Sequence, residues 1–312
     1  MKFFLWACLV LIITIILSII PFHQKKDLLI KARYENVFSQ LLRPMNWKNW
    51  QPDVKSVWQH DSTKVYTTNR GAISIIEAQN LRIETKLNGF GLDVEKNTKW
   101  ANEHYSFSVV TNQNHRYTDI HVITNTCGYK WLMALLTQKS LFADLQALKQ
   151  YMEDEKAYYG YNIHTYNAVD TIVMVEQRTV SIGNRNSAIA EIRQELQAFI
   201  NKNRLKITQP IMADIRALYQ DSIRIMVGFS VNKAVNPEGR IHIMRIPKQA
   251  KMLSVTYEGK YGSRQAAYSV LRSYMRDHDL LAPEIPYEKY FDNKIPNSDT
   301  AKVYMQIIAP LQ

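Results

Sequence analysis

The chain has 312 residues, 46% of them hydrophobic and 21% charged, with a formal charge of +11. That length is long for one domain and comfortable for two, and no low-complexity or Pro/Gly-rich stretch interrupts it. The 39 Lys and Arg residues are scattered without a block of five or six like charges, which reads as a solvated basic surface and not as a nucleic-acid interface. The first element in chain order is Phe3 to Phe22, 20 residues without a charge. At ~1.5 Å per residue such a run spans about the 30 Å of a bilayer core. It ends Leu17-Ser18-Ile19-Ile20-Pro21-Phe22, with large residues where a cleaved signal peptide needs small ones. The expectation is a single-pass membrane protein, anchored by residues 1–24 and with the membrane as a partner. Lys25, Lys26, Lys31 and Arg33 follow the run while Lys2 precedes it, a balance that puts the body on the cytoplasmic side. Cys8 lies in the run and Cys127 is the other cysteine, so no disulfide forms within the body.

Next comes a segment over residues 25–165. Asp27 to Tyr34 reads as a strand and Glu35 to Leu42 as a short helix, followed by Trp47-Lys48-Asn49-Trp50-Gln51-Pro52. Strand-like runs follow at Lys64–Thr68, Gly71–Glu77, Leu81–Leu87, His104–Thr111 and Tyr117–Thr124. A long helix closes the segment, with Leu141, Leu145, Leu148 and Met152 at core spacing. The motif Val-Phe-x-x-Leu then Trp-x-x-Trp-x-Pro, in this element order, resembles the START-like, polyketide-cyclase/dehydrase (SRPBCC) superfamily. The resemblance implies a helix-grip fold around a hydrophobic cavity that takes lipids, steroids, polyketides or other apolar ligands. Trp47 and Trp50 read as packing residues of the helical turn.

Residues 168–312 carry an internal repeat. Leu196-Gln197-Ala198-Phe199-Ile200-Asn201-Lys202-Asn203-Arg204-Leu205 matches Leu271-Arg272-Ser273-Tyr274-Met275-Arg276-Asp277-His278-Asp279-Leu280 at an offset of about 75 residues. Thr179–Ile182 matches Ser254–Tyr257 at the same offset, and the second half holds extra loop residues around Pro296. Each half reads strand, helix, strand, strand, with Ile189, Ile192, Leu196, Phe199 and Ile200 on one helix and Ala267, Leu271, Tyr274 and Met275 on the other. Two such units side by side make one larger sheet with both helices on one face. The whole chain is therefore expected to be α+β.

The stretches Tyr257-Glu258-Gly259-Lys260-Tyr261-Gly262, Pro286-Tyr287-Glu288-Lys289-Tyr290-Phe291-Asp292-Asn293 and Val303 to Leu311 resemble the gyrase-inhibitor-like (GyrI-like) domain. This effector-binding module is also found in AraC- and MerR-type activators. The resemblance implies a groove that holds amphipathic or cationic small molecules, with Glu288 at its base. From residue types alone, a carboxylate between two tyrosines in a buried strand is costly unless paired. An organic cation between tyrosine rings would supply the partner, and so would a nearby Lys or Arg. Tyr257, Tyr261, Tyr290 and Tyr304 are the aromatic candidates for the groove, and the position matching Glu288 in the first half is Ala213.

Catalytic signatures are sparse. The eight histidines show no metal-ligand spacing, Gly89-Phe90-Gly91 is too short for a phosphate loop, and there is no Gly-x-Ser-x-Gly elbow. Cys127 has no obvious partner for nucleophilic catalysis and reads as a small core or cavity thiol. No metal, cofactor or nucleic acid is expected. The sequence points to binding of a small amphipathic, cationic or apolar ligand, in sensing or sequestration. Two alternatives are a hydrolase of reactive small molecules with Glu288 as general base, and lipid binding or transfer by the helix-grip segment.

Overall fold

The computed structural model describes residues 21–71, 73–78, 81–89, 91–98, 102–112, 115–127, 141–219 and 221–312, together with residues 6, 12, 15 and 16. The chain is α+β with two large antiparallel sheets, and it divides into two compact units, Met1–Tyr158 and Tyr159–Gln312.

In the first unit β1 (Pro21–Ile30) leads into α1 (Tyr34–Leu42), α2 (Pro44–Trp50) and α3 (Pro52–His60). Pro44 and Pro52 each open a helix, where the missing N–H is no loss. The Gln51 side chain caps α3 by accepting from the Val54 N–H at 2.6 Å. Trp47 and Trp50 are buried with ring centroids 4.4 Å apart, and Trp47 Nε1 donates to the Leu41 carbonyl at 2.9 Å. Both therefore pack the helical turn. Six strands follow: β2 (Val65–Arg70), β3 (Ile73–Ala78), β4 (Leu81–Asn88), β5 (Gly91–Thr98), β6 (Asn102–Thr111) and β7 (Thr118–Cys127). The sheet order is β1-β7-β6-β5-β4-β3-β2. Helix α4 (Leu141–Glu153) buries Leu145, Leu148 and Met152 in the same core as the inward residues of the sheet. The short α5 (Glu155–Tyr159) ends at the unit boundary.

The expected single-pass membrane localisation is overturned. Among the described residues no helix is long and apolar enough to cross a membrane. The last four residues assigned to the anchor lie in β1, paired as Pro21↔Cys127, Phe22↔Thr126, His23↔Asn125 and Gln24↔Thr124. A residue whose backbone is committed to a sheet ladder cannot extend a spanning helix. The remainder of the expected anchor, apart from residues 6, 12, 15 and 16, lies outside the described residues. The first strand accordingly starts at Pro21 and not Asp27, and Tyr34 opens a helix instead of closing a strand.

The second unit contains β8 (Asn162–Asn167), β9 (Thr171–Ser181), α6 (Arg185–Lys202), β10 (Met212–Ala217), β11 (Ser222–Val231) and β12 (Ile241–Ile246). After these come β13 (Lys251–Lys260), α7 (Gln265–Asp277), β14 (Tyr287–Tyr290) and β15 (Lys302–Pro310). The sheet order is β12-β9-β11-β10-β14-β15-β13-β8. The halves β9-α6-β10-β11 and β13-α7-β14-β15 meet where β10 pairs with β14, through Met212↔Lys289 and Ala213↔Glu288. Ile192, Leu196 and Phe199 of α6 share one buried cluster with Ala267, Leu271 and Tyr274 of α7. β8 and β12, which lie outside the repeated strand, helix, strand, strand pattern, are the two edge strands.

The repeat has one internal shift. Each half's first strand ends in a short 3-10 turn, Ile182–Asn184 and Tyr261–Ser263, so Arg185 corresponds to Arg264 at an offset of 79. The helices themselves match at an offset of 75. The difference of four residues is about one helical turn, and the 18-residue α6 is five residues longer than the 13-residue α7 because Arg185 opens the helix where Arg264 only caps it. The strand match of Thr179–Ile182 with Ser254–Tyr257 is therefore displaced; the end of β9 at Ser181 corresponds to the end of β13 at Lys260.

Candidate functional site

Strand β14 is four residues long, and its alternation sends Glu288 and Tyr290 to the helix face of the sheet and Tyr287 and Lys289 to the other. Glu288 is only 2% exposed. A carboxylate at that depth needs donors, and it has three. Arg264 Nε donates to Oε1 at 2.7 Å and the Tyr268 hydroxyl to the same oxygen at 3.1 Å; the Tyr290 hydroxyl donates to Oε2. The turn after β13 and the first turns of α7 deliver two of these groups. Arg264, Tyr268 and Arg272 recur every four residues and so lie on one stripe of the helix.

Arg264 is held from both sides. Its guanidinium carbon lies 3.6 Å from the Tyr261 ring centroid, and Nη1 donates to the Tyr261 carbonyl at 3.1 Å. Arg185 approaches the same ring from the first half at 5.3 Å. Burial works against the Arg264 charge, but Glu288 beside it outweighs that and leaves its pKa above the ordinary value. Burial and then the Glu288 charge push the hydroxyls of Tyr268 and Tyr290 well up. Both stay protonated, so they act as donors to a carboxylate.

Arg264 and Tyr268 also line a cleft of about 650 Å³ between α7 and β10. Leu271, Met275 and Ile215 form its apolar wall, with Ala282 to Pro286 along one rim. Arg216 lines it too, but is engaged with Asp214, donating from Nε at 2.6 Å. Arg272 and Glu284 are exposed at its margin, and among the described residues neither has an oppositely charged partner. The volume is that of a small-molecule site, typically ~300–1,000 Å³.

The sequence candidates separate accordingly. Glu288, Tyr290 and Tyr261 converge on one cluster. Tyr257 is buried, but its hydroxyl donates to the Lys260 carbonyl at 2.6 Å, which fixes the turn rather than the site. Tyr304 is 51% exposed and stacks on Phe291 at 4.6 Å. Arg264 and Tyr268 were not among the sequence candidates; the four-residue spacing of Arg264, Tyr268 and Arg272 is the signal that marks them. The opposite face holds half-buried Lys289, whose ammonium donates to Gln209 Oε1 at 2.8 Å and whose pKa is pushed down by burial.

The first unit has a polar cluster of its own. Lys96 of β5 is fully buried and ion-paired with Asp144 of α4, to which Gln51 Nε2 also donates at 3.3 Å. Charged side chains therefore occupy part of the interior of the first unit. Among the described residues no group of three or more His, Cys, Asp and Glu is placed to hold a metal ion.

No protein-family model matches the chain, and no curated protein matches it either. Several solved structures are similar in part. The EcmrR C-terminal domain is 22% identical and covers 49% of this chain and 98% of that chain, with a TM-score of 0.40. SAV2435 bound to tetraphenylphosphonium is 11% identical and covers 48% of this chain and 94% of that chain, with a TM-score of 0.29. The di-domain ARO/CYC StfQ from the steffimycin biosynthetic pathway is 9% identical and covers 93% of this chain and 85% of that one, with a TM-score of 0.31. These scores are too low to carry function, which has to come from the geometry of the cleft.

Proposed function

We propose that the second unit binds a small amphipathic molecule in the α7–β10 cleft, with Glu288 and its donors reading the ligand's charge. The observation that carries this is a carboxylate 2% exposed, directly behind two cleft-lining side chains that both donate to it. Leu271, Met275 and Ile215 would take the apolar part of the ligand, and burying it supplies affinity without direction. The buried charge cluster supplies the direction, since a charged group aligned with it gains more than one in open water. Sensing or sequestration of such a molecule fits a site of this kind, which binds without needing a second reactant.

Glu288 as a general base is the weaker reading. A general base must reach the proton it removes within hydrogen-bond distance. Both Glu288 oxygens already accept from Arg264, Tyr268 and Tyr290.

Glu288→Gln keeps the volume and removes the charge. It should weaken a charged amphiphile about tenfold or more, which at ~1.4 kcal/mol per decade is a modest fraction of a buried pair. A neutral isostere should be hardly affected. Fluorescence titration of the full chain reads both, with circular dichroism as the control for folding. Equal loss for both ligands would mean that Glu288 only shapes the cleft, and no loss for either would place the site elsewhere.

A further inference from the structure

Glu288 already holds a cation of the protein's own. Arg264 is positioned as a bound organic cation would be, with its guanidinium 3.6 Å over the Tyr261 ring and its Nε 2.7 Å from the carboxylate. Its side chain is 21% exposed and lines the cleft, whereas that of Glu288 is 2% exposed. Anything that takes Glu288 must first move Arg264, and a displaced guanidinium in a half-dry cleft needs a new anion. Asp214 does not offer one, because Arg216 occupies it. Glu284 lies at the exposed rim, where a pair is worth little. Arg272, on the same stripe of α7, adds a second cation with no carboxylate partner among the described residues.

We infer that the cleft selects a zwitterionic amphiphile, whose cationic group replaces Arg264 on Glu288 and whose anionic group pairs with the Arg264 so released. This rests on the small-molecule reading above and names the ligand class for the same site. The two alternatives each leave a mismatch. A simple cation satisfies Glu288 and strands Arg264. A simple anion finds Arg264 already paired and only the exposed Arg272 open to it, where a pair is worth little. Only a ligand with both charges exchanges one ion pair for two, with the alkyl or aryl body against Leu271 and Met275. Arg264 is then a specificity-determining residue.

The test uses the full chain and calorimetric titration with decyl sulfobetaine, decyltrimethylammonium and decyl sulfate, each below its micelle concentration. The wild-type protein should bind the sulfobetaine at least tenfold more tightly than either singly charged probe. Arg264→Gln frees Glu288, so decyltrimethylammonium should gain about tenfold or more and the preference for the sulfobetaine should close or reverse. Should that variant fail to fold, Arg264→Lys retains the charge and must retain the preference for the sulfobetaine. Equal wild-type affinity for the cation and the sulfobetaine overturns the inference, while a loss of both in Glu288→Gln would leave the small-molecule reading standing. Absence of binding by all three probes to the wild-type protein overturns both.

Discussion

Lys96 has no exposed surface, and its ammonium is paired with Asp144, which is itself 4% exposed. Glu103, 4% exposed, stands directly opposite Lys96 in the β5–β6 register. Removing Lys96 is worse than never having had the pair, because the Asp144 carboxylate stays buried without its counter-charge. Lys96→Met should therefore cost about 3–5 kcal/mol of stability at neutral pH. The pH dependence has a definite sign. Burial pushes the Asp144 pKa up, and Lys96 holds it back; without the lysine it moves higher still. A carboxyl whose folded pKa exceeds its unfolded value binds its proton first in the folded state. Its contribution is fully present below the unfolded pKa and is lost as pH rises through the folded one. The gap between wild type and Lys96→Met should thus narrow on acidification, which urea unfolding at a series of pH values would measure. A gap independent of pH would mean that the Asp144 carboxylate reaches water once Lys96 is gone.

The same lysine explains why one strand escaped the sequence. β5 alternates Leu92, Val94 and Lys96 inward, and a lysine at the third inward position breaks the apolar rhythm by which a strand is recognised. Gly89, read only as a failed phosphate loop, is a positive-φ residue of the tight turn joining β4 to β5, where Asn88 pairs with Gly91. β8 was hidden for the opposite reason: as an edge strand it buries just Ile163 of its six residues. Helices α6 and α7 were legible because their apolar residues recur at helical spacing, whereas Glu288 stood out through the motif resemblance, its two flanking tyrosines being equally compatible with an ordinary ion pair. Its partner Arg264 did not, since it is 24 residues away and meets Glu288 only through the turn after β13. That turn can be tested within the repeat itself. A Cβ on Gly262 would meet Asp299 Cβ at 2.9 Å, while one on the corresponding Gly183 would meet nothing within 4 Å. Gly262→Ala should therefore cost about 1–3 kcal/mol through overpacking and weaken ligand binding, because the turn carries Arg264. Gly183→Ala should stay within ~0.5 kcal/mol of wild type. Thermal unfolding of the two variants compares them directly, and equal effects would show that Asp299 yields without strain.

At the scale of the molecule, the question is where the second unit begins. The repeat places its start at residue 168, but the chain contributes to that unit nine residues earlier. The Tyr159 hydroxyl donates to Asp277 Oδ2 at 2.9 Å, and its ring lies 5.3 Å from that of Tyr274, so it is tied to α7. β8 then pairs with β13 from Thr256↔Asn162 to Lys251↔Asn167 and buries Ile163. Burying one such side chain contributes about 1.5–3 kcal/mol, and without β8 the long β13 becomes an open edge with unpaired backbone groups. We predict that a fragment of residues 159–312 unfolds in one cooperative transition. A fragment of residues 168–312 should be less stable by at least ~2 kcal/mol and should self-associate through the bared edge of β13. Denaturant unfolding measures the first effect and sedimentation velocity the second. Equal stability of the two fragments would make β8 a passive cover. A 159–312 fragment that bound a hydrophobic dye and lost its near-ultraviolet dichroism would show that this unit needs the rest of the chain to fold.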